Sequence, residues 1–133
     1  MTGGAFVRVE ATGQLQLAGG AGPIAVPSGL QVTLQDVIWN EVGPQGLTMR
    51  FRFVAPTISR DATDLDYDVL QADMQALCET FALPRVSDLG PQPAQIIISL
   101  ANQPLPFGET APEVTQFFEA YSIQNGTCQW EIY

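Results

Sequence analysis

Residues 64–81 read DLDYDVLQADMQALCETF. Apolar side chains recur in this stretch at spacings of three and four, which at about 100° per residue places them within an arc of about 100° on an α-helix. The apolar stripe comprises Tyr67, Leu70, Met74, Leu77, Cys78 and Phe81. Polar residues, among them Asp68, Gln71 and Glu79, occupy the other side. The stretch therefore predicts one amphipathic helix, which we expect to end at Leu83 because the following proline disfavours a helical conformation.

The only two cysteines are Cys78, inside the apolar stripe, and Cys128, in a segment that alternates like a final strand. A buried cysteine can be an inert small hydrophobe, as is common in cytosolic proteins. We favour a disulfide between helix and sheet, which implies an oxidising compartment. Residues 1–17 lack the basic start and apolar run of a signal peptide. The expectation is a mature chain of a periplasmic or secreted protein.

The composition limits the classes of function. The 133 residues suffice for one folded domain, and the formal net charge of -9 argues against a nucleic acid or an anionic membrane surface as partner. No apolar run is long enough for membrane insertion. The chain has no histidine and no lysine, which removes imidazole acid–base chemistry and Schiff bases. We therefore lean towards a protein that is not an enzyme and expect no cofactor.

A metal site is also not expected. The run Asp64, Asp66 and Asp68 resembles the start of a calcium loop, but it lacks the glycine and the final glutamate of that pattern. Acidic residues at the start of a helix are explained equally well by the helix dipole.

The rest of the chain reads mainly as strands. Residues 1–28 form a mobile arm or an edge strand, and residues 29–133 form a single α+β domain. A strand over 32–41 and the alternating segment 47–55 predict an antiparallel hairpin. The apolar run 94–101 predicts an interior strand, and segment 116–123 predicts a strand joined to the last one by a turn at Asn125-Gly126. A helix at 113–123 is the alternative, and a helical turn is expected at 110–114.

The predicted fold is an antiparallel sheet of four to six strands with one main helix packed on one face, in the order β-β-α-β-β-β. The other face would be open to water or to a partner.

Four residues are candidate contacts for a ligand or partner. Arg50 and Arg52 project from one face of the alternating strand and could bind an anion, although pairing with the many carboxylates of the chain is the simpler interpretation. Phe107 lies in an irregular proline-rich segment and is an anchor or an exposed contact. Trp130 belongs to the alternating last segment.

Six short blocks in this order resemble a family of small exported proteins of alphaproteobacteria that is catalogued as a domain of unknown function. The blocks are RFRFVAP (50–56), DMQALC (73–78), QIIISL (95–100), PFGE (106–109), TQFFEAY (115–121) and GTCQWE (126–131). The resemblance spans residues 26–133. It implies export and a common framework for Cys78 and Cys128, but no activity.

Three functions remain open. The first is a non-enzymatic exported module that binds through the open sheet face, the segment around Phe107 or an edge strand, with another exported protein as the expected partner. The second is an acidic inhibitor or immunity-type protein that covers a basic enzyme surface, suggested by the net charge of -9. The third is a carboxylate-based hydrolase that uses Glu119, Glu131 and Asp36 on one sheet face, although solvent-facing roles explain both glutamates more simply.

Overall fold

Seven strands and one long helical segment make up the fold of this computed structural model. The structure describes residues 6–9, 14–18, 22–43, 46–58, 67–89, 93–105 and 114–131. The strands are β1 (Phe6–Val9), β2 (Gln14–Ala18), β3 (Thr33–Gly43), β4 (Gly46–Val54), β5 (Gln95–Ala101), β6 (Gln116–Gln124) and β7 (Thr127–Glu131). The helical segment comprises α1 (Tyr67–Ala76), a π-helical turn (Leu77–Ala82) and α2 (Leu83–Leu89).

The strands form a single sheet in the order β1-β2-β3-β4-β5-β6-β7. The α+β class is confirmed, but the prediction of an antiparallel sheet is wrong at one place, because β4 and β5 pair in parallel. The helical segment connects these two neighbouring strands. A connection that contains a helix is long enough to bring the chain back to the end of the sheet where β4 begins. The next strand, β5, therefore runs in the same direction as β4.

The predicted order of elements also lacked two strands, β1 and β2, that precede β3. Five strands, β3 to β7, match the predicted number, and β1 and β2 extend the sheet beyond β3 by antiparallel pairing. The observed order is therefore β-β-β-β-α-β-β-β. Strands β1 and β2 lie within residues 1–28, for which an edge strand was one of the two expectations.

Four of the predicted strands are confirmed. The hairpin of β3 and β4 is antiparallel, β5 is buried along nearly its whole length, and β6 takes the strand conformation rather than the helical alternative. Asn125 (φ 54°) and Gly126 (φ 75°) connect β6 to β7 with two successive positive φ angles, as a type I′ turn requires. Residues 110–113 of the expected helical turn and the predicted start of the helix at residue 64 lie outside the described residues.

We expected the helix to end before Pro84, but the helical segment continues past this proline. The backbone N–H of Leu83 donates to the carbonyl of Cys78, five residues earlier, and the chain continues as α2. A π-helical turn is wider than an α-helical turn, so it relieves the clash of a proline ring with the carbonyl four residues before it. Side chains bind two carbonyls of this region, with Thr80 Oγ1 2.8 Å from the Ala76 oxygen and Arg85 Nη1 2.9 Å from the Phe81 oxygen.

The core lies between the helical segment and one face of β3 to β6. Phe81 packs edge to face against Phe51 and Phe53, with ring centroids 6.4 and 5.6 Å apart. The predicted stripe from Leu70 to Phe81 is buried there, whereas Tyr67 is 46% exposed. The other fully buried members of this core include Val32, Met49, Met74, Leu77, Ile96, Ile98, Leu100 and Tyr121.

The opposite face of the sheet carries buried polar side chains. Arg52 Nε and Nη2 lie 2.6 and 2.8 Å from the two carboxylate oxygens of Asp36, and both side chains are almost fully buried. Thr48 and Gln95 are register partners on β4 and β5, each 1% exposed. Thr48 Oγ1 and Gln95 Nε2 have no hydrogen-bond partner among the described residues. This part of the face is therefore covered, although we expected an open surface from the sequence.

Covalent and polar contacts hold the helical segment in place. A disulfide joins Cys78 of the π-helical turn to Cys128 of β7, with the Cα atoms 6.3 Å apart, as was favoured from the sequence. The buried carboxylate of Asp73 accepts hydrogen bonds from the N–H and hydroxyl of Ser28, at 3.0 and 2.5 Å. The segment before β3 is thereby attached to α1.

The contribution of the disulfide can be measured. Replacing Cys78 and Cys128 together by alanine should lower the free energy of unfolding by about 4 kcal/mol, because the bond closes a loop of about fifty residues in the unfolded chain. Urea unfolding of the double variant, compared with wild type before and after reduction, tests this. A loss below about 1 kcal/mol would show that packing alone holds β7.

The orphaned hydroxyl of Thr48 gives a second prediction. Thr48→Val keeps the shape of the side chain and removes a buried polar atom that has no partner among the residues the structure describes. We expect the free energy of unfolding to rise by about 1 kcal/mol. The control is Thr33→Val on β3, where the side chain is exposed and the change should be close to zero. Destabilisation by Thr48→Val would mean that this hydroxyl is hydrogen-bonded in solution.

Candidate functional site

A cavity of about 610 Å³ lies where β7 reaches its last described residue, between α1 and the edge of the sheet. We call it the edge pocket. Its lining residues come from five elements: Tyr67 and Gln71 of α1, Arg50 of β4, Ile97 of β5, Phe118, Glu119 and Ala120 of β6, and Trp130 and Glu131 of β7.

Glu119 is the polar centre of the edge pocket. Its side chain is only 9% exposed. Trp130 Nε1 donates to Oε1 at 2.6 Å, and the hydroxyl of Tyr67 donates to Oε2. Gln71 Nε2 is a more distant donor, 3.5 Å from Oε2. The carboxylate thus draws together the first turn of α1, strand β6 and strand β7.

The alternation of β6 explains why Glu119 faces the helix. Phe117 and Tyr121, two residues to either side of it, belong to or pack on the core beneath the helical segment. Side chains two residues apart on a strand share a face. Trp130 is the register partner of Tyr121 and therefore lies on that same face of the sheet. Pairing of β7 with β6 brings the indole within reach of the carboxylate.

Glu131 lies on the other face. It pairs in register with Ala120, and its carboxylate accepts a hydrogen bond from Ser122 Oγ at 3.1 Å. Arg50 also belongs to that face, with its guanidinium carbon 5.5 Å from the ring centroid of Phe118. The edge pocket therefore extends around the margin of the sheet and includes residues from both faces.

The negative charge at Glu119 affects the two neighbouring tyrosines. The hydrogen bond to Glu119, followed by burial and by the charge itself, raises the pKa of Tyr67 to about 12 from an ordinary value near 10. Burial, with a smaller contribution from Glu119, raises the pKa of Tyr121 even further. Both phenols therefore remain protonated, and Tyr67 remains a donor, well into the alkaline range.

Three aromatic side chains give the edge pocket an exposed apolar surface. Tyr67, Phe118 and Trp130 are 46%, 51% and 41% exposed. The Tyr67 ring rests against Phe117, with centroids 6.1 Å apart, so its position is supported by packing as well as by the hydrogen bond to Glu119.

A smaller cavity of about 280 Å³ adjoins the edge pocket and shares Gln71 and Trp130 with it. Its other lining residues are Asp68, Ala72, Gln75 and Tyr121. Gln75 Nε2 donates to the carbonyl of Cys128 at 2.8 Å, which closes this cavity against the disulfide. The two cavities together form a groove between α1 and β7.

The four candidate contact residues do not all belong to one site. Arg50 and Trp130 line the edge pocket. Arg52 is buried and held by Asp36, in line with the interpretation that arginines pair with carboxylates of the chain itself. Phe107 lies outside the described residues. Tyr67, Gln71 and Phe118 were not anticipated as site residues, because the first two were assigned to a helix stripe and its polar face.

The three carboxylates considered for hydrolysis do not form a group. Asp36 is bound by Arg52, while Glu119 and Glu131 face opposite sides of the sheet. Within the described ranges, no set of three or more histidine, cysteine, aspartate or glutamate side chains is arranged to hold a metal. No helix in the described part of the chain has the length and apolar character needed to cross a membrane.

The linkage between Tyr67 and Glu119 predicts a pH dependence. Since the pKa of Tyr67 is higher in the folded state, the free energy of unfolding should fall as the pH rises from about 10 to about 12. Tyr67→Phe should make the free energy of unfolding fall less steeply over this pH range. It should also remove the ionisation of one tyrosine that titrates above the ordinary phenol pKa. Tyrosinate absorbance followed against pH, together with urea unfolding at pH 9, 10 and 11, measures both effects; these pH values span roughly the ordinary phenol pKa.

Tyr121→Phe is the matched control, because Tyr121 titrates later and for a different main reason, its burial. If the ionisation that is lost in Tyr67→Phe lies near pH 10, the ordinary phenol value, this would contradict the hydrogen bond to Glu119.

Comparison with known proteins gives a family without an assigned activity. The profile of a family described as "Family of unknown function (DUF6497)" matches residues 6–133. No curated protein matches the chain. No solved structure matches it either.

Proposed function

We propose that this chain, which belongs to the DUF6497 family, is a non-enzymatic exported binding module that takes its ligand in the edge pocket. The observation that carries the proposal is the position of the exposed aromatic residues. Among the described residues, four large hydrophobic side chains are exposed, and three of them, Tyr67, Phe118 and Trp130, line this one cavity.

Clustered exposure of this kind favours binding. Single exposed apolar residues are normal on protein surfaces, whereas several around one concave site are typical of ligand and partner sites. Tyrosine and tryptophan suit such sites because they combine a large apolar ring with a polar group. Here both polar groups are fixed on Glu119, so the rings are positioned before any ligand arrives.

Binding explains the site better than catalysis. The chain offers no histidine or lysine, and the hydrogen bonds of Glu119 serve to hold Tyr67 and Trp130. A carboxylate partner for Glu119 would have to come from Glu131, which faces the other side of the sheet.

Export is supported by the disulfide. Cys78 and Cys128 are both nearly fully buried and bonded, which suits a protein that folds in an oxidising compartment.

A fragment screen by NMR tests the proposal. Amide and indole spectra of the labelled chain are recorded with a library of small neutral, anionic and cationic compounds. We expect hits whose shift changes concentrate on Trp130, Phe118 and their neighbours. Phe118→Ala should weaken these hits at least about fivefold, since a buried aromatic contact of about 1 kcal/mol is lost.

Val69→Ala is the matched control, because Val69 is 45% exposed but does not line the edge pocket. Hits that spread over the surface, or that respond equally to both variants, would overturn the proposal.

A further inference from the structure

We propose that the edge pocket binds an organic cation, an alkylammonium or guanidinium group, whose charge pairs with Glu119 and whose apolar part rests on Tyr67 and Trp130. The inference rests on the proposed function, because it takes this cavity as the binding site and assigns the chemistry of its ligand.

The first argument is the unbalanced charge of Glu119. Each of its recorded donors, from Tyr67, Trp130 and Gln71, is a neutral group. Both carboxylate oxygens act as acceptors, as expected for the ionised form. A buried carboxylate is costly unless a cation or many donors compensate it, and the neighbouring cavity has room for such a cation.

Asp36 provides the internal comparison. It is buried to a similar extent, and its carboxylate is met by the guanidinium of Arg52 through two short hydrogen bonds. Asp73, a third buried carboxylate of the described residues, is held by two neutral donors of Ser28 and lines neither cavity. Glu119 differs from both, because it has no cation of the described chain as a recorded partner and faces a cavity. We infer that the cation for Glu119 comes from outside.

The charges around the edge pocket point the same way. The residues that line the edge pocket include two acidic ones, Glu119 and Glu131, and the basic Arg50, and Asp68 lines the adjoining smaller cavity. The whole chain carries a formal net charge of -9, so the surrounding field also favours a cationic ligand.

The aromatic residues suit the apolar part of such a ligand. A cation is attracted to the face of an aromatic ring, most strongly to tryptophan, and this attraction grows when water is excluded. Tyr67 and Trp130 are both anchored on Glu119, so a cation next to the carboxylate lies close to both rings. Phe118 lies on the other face of the sheet, where its ring receives the guanidinium of Arg50.

The test compares a cation with a neutral molecule of the same shape. Choline and 3,3-dimethylbutan-1-ol are titrated into the full wild-type chain while the indole resonance of Trp130 is followed by NMR. We expect choline to bind at least about tenfold more tightly than the neutral isostere. Equal binding of the two at the edge pocket would overturn the cation assignment and leave the binding proposal intact.

Two variants test whether Glu119 is the carboxylate that binds choline. Glu119→Gln should weaken choline binding about tenfold or more, while Glu79→Gln, an equal change of charge on an exposed helix position outside both cavities, should leave it within twofold. Equal effects of the two variants would show only a general effect of net charge and would overturn the inference. Because the isostere comparison uses wild-type protein, it remains decisive if Glu119→Gln folds poorly.

Two further probes identify the source of the cation. N-acetyl-arginine amide represents a basic side chain of a partner protein, and tetramethylammonium represents a small quaternary amine. Tighter binding of either one supports the inference and indicates its source. Benzoate binding more tightly than every cation would overturn it in favour of Arg50, and the absence of binding by all of these compounds and by the fragment library would overturn both proposals.

Discussion

The disulfide between Cys78 and Cys128 holds the last strand against the helical segment, and the edge pocket depends on that attachment. Strand β7 has β6 as its neighbour in the sheet and contributes Trp130 to the site. A short strand at the edge of a sheet is held weakly by its ladder hydrogen bonds alone. The covalent bond, with Gln75 on the carbonyl of Cys128, fixes the position from which Trp130 reaches Glu119.

The placement of the helical segment between β4 and β5 gives the two faces of the sheet different character. One face packs its phenylalanines and isoleucines under the helix. The other face buries an ion pair between Arg52 and Asp36. It also buries Thr48 Oγ1 and Gln95 Nε2, which have no hydrogen-bond partner in the described part of the chain. A buried ion pair contributes little net stability but is costly to break, so it favours a single register of β3 on β4.

Local patterns were enough to predict much of this fold. The alternation in β4, the apolar run of β5 and the Asn125-Gly126 turn each depend on residues close together in the chain, and the structure has all three. The parallel pairing of β4 and β5 could not be read in the same way. It depends on which strand the chain meets after the helix, and composition does not encode that choice.

The site was harder to predict than the fold. Glu119 and Trp130 were both noted, but on a hairpin of uncertain register a shift of one residue moves a side chain to the other face. Tyr67 fitted the apolar stripe of the predicted helix. Nothing in the local sequence indicated that its hydroxyl donates a hydrogen bond to Glu119. Its position at the beginning of the helix, where the stripe passes the edge of the sheet, is the feature that leaves it half exposed.

The π-helical turn explains how one helical segment keeps a single face against the sheet on both sides of Pro84. On an uninterrupted α-helix, Val86 would lie roughly 160° around the axis from Leu70 and would face water. A π-helical turn accommodates about one extra residue, which rotates everything after it back by roughly 100°. Val86 is buried in the same core as Leu70. The turn therefore acts as a phase correction, and α2 would lose its contact with the sheet if the turn were shortened by one residue.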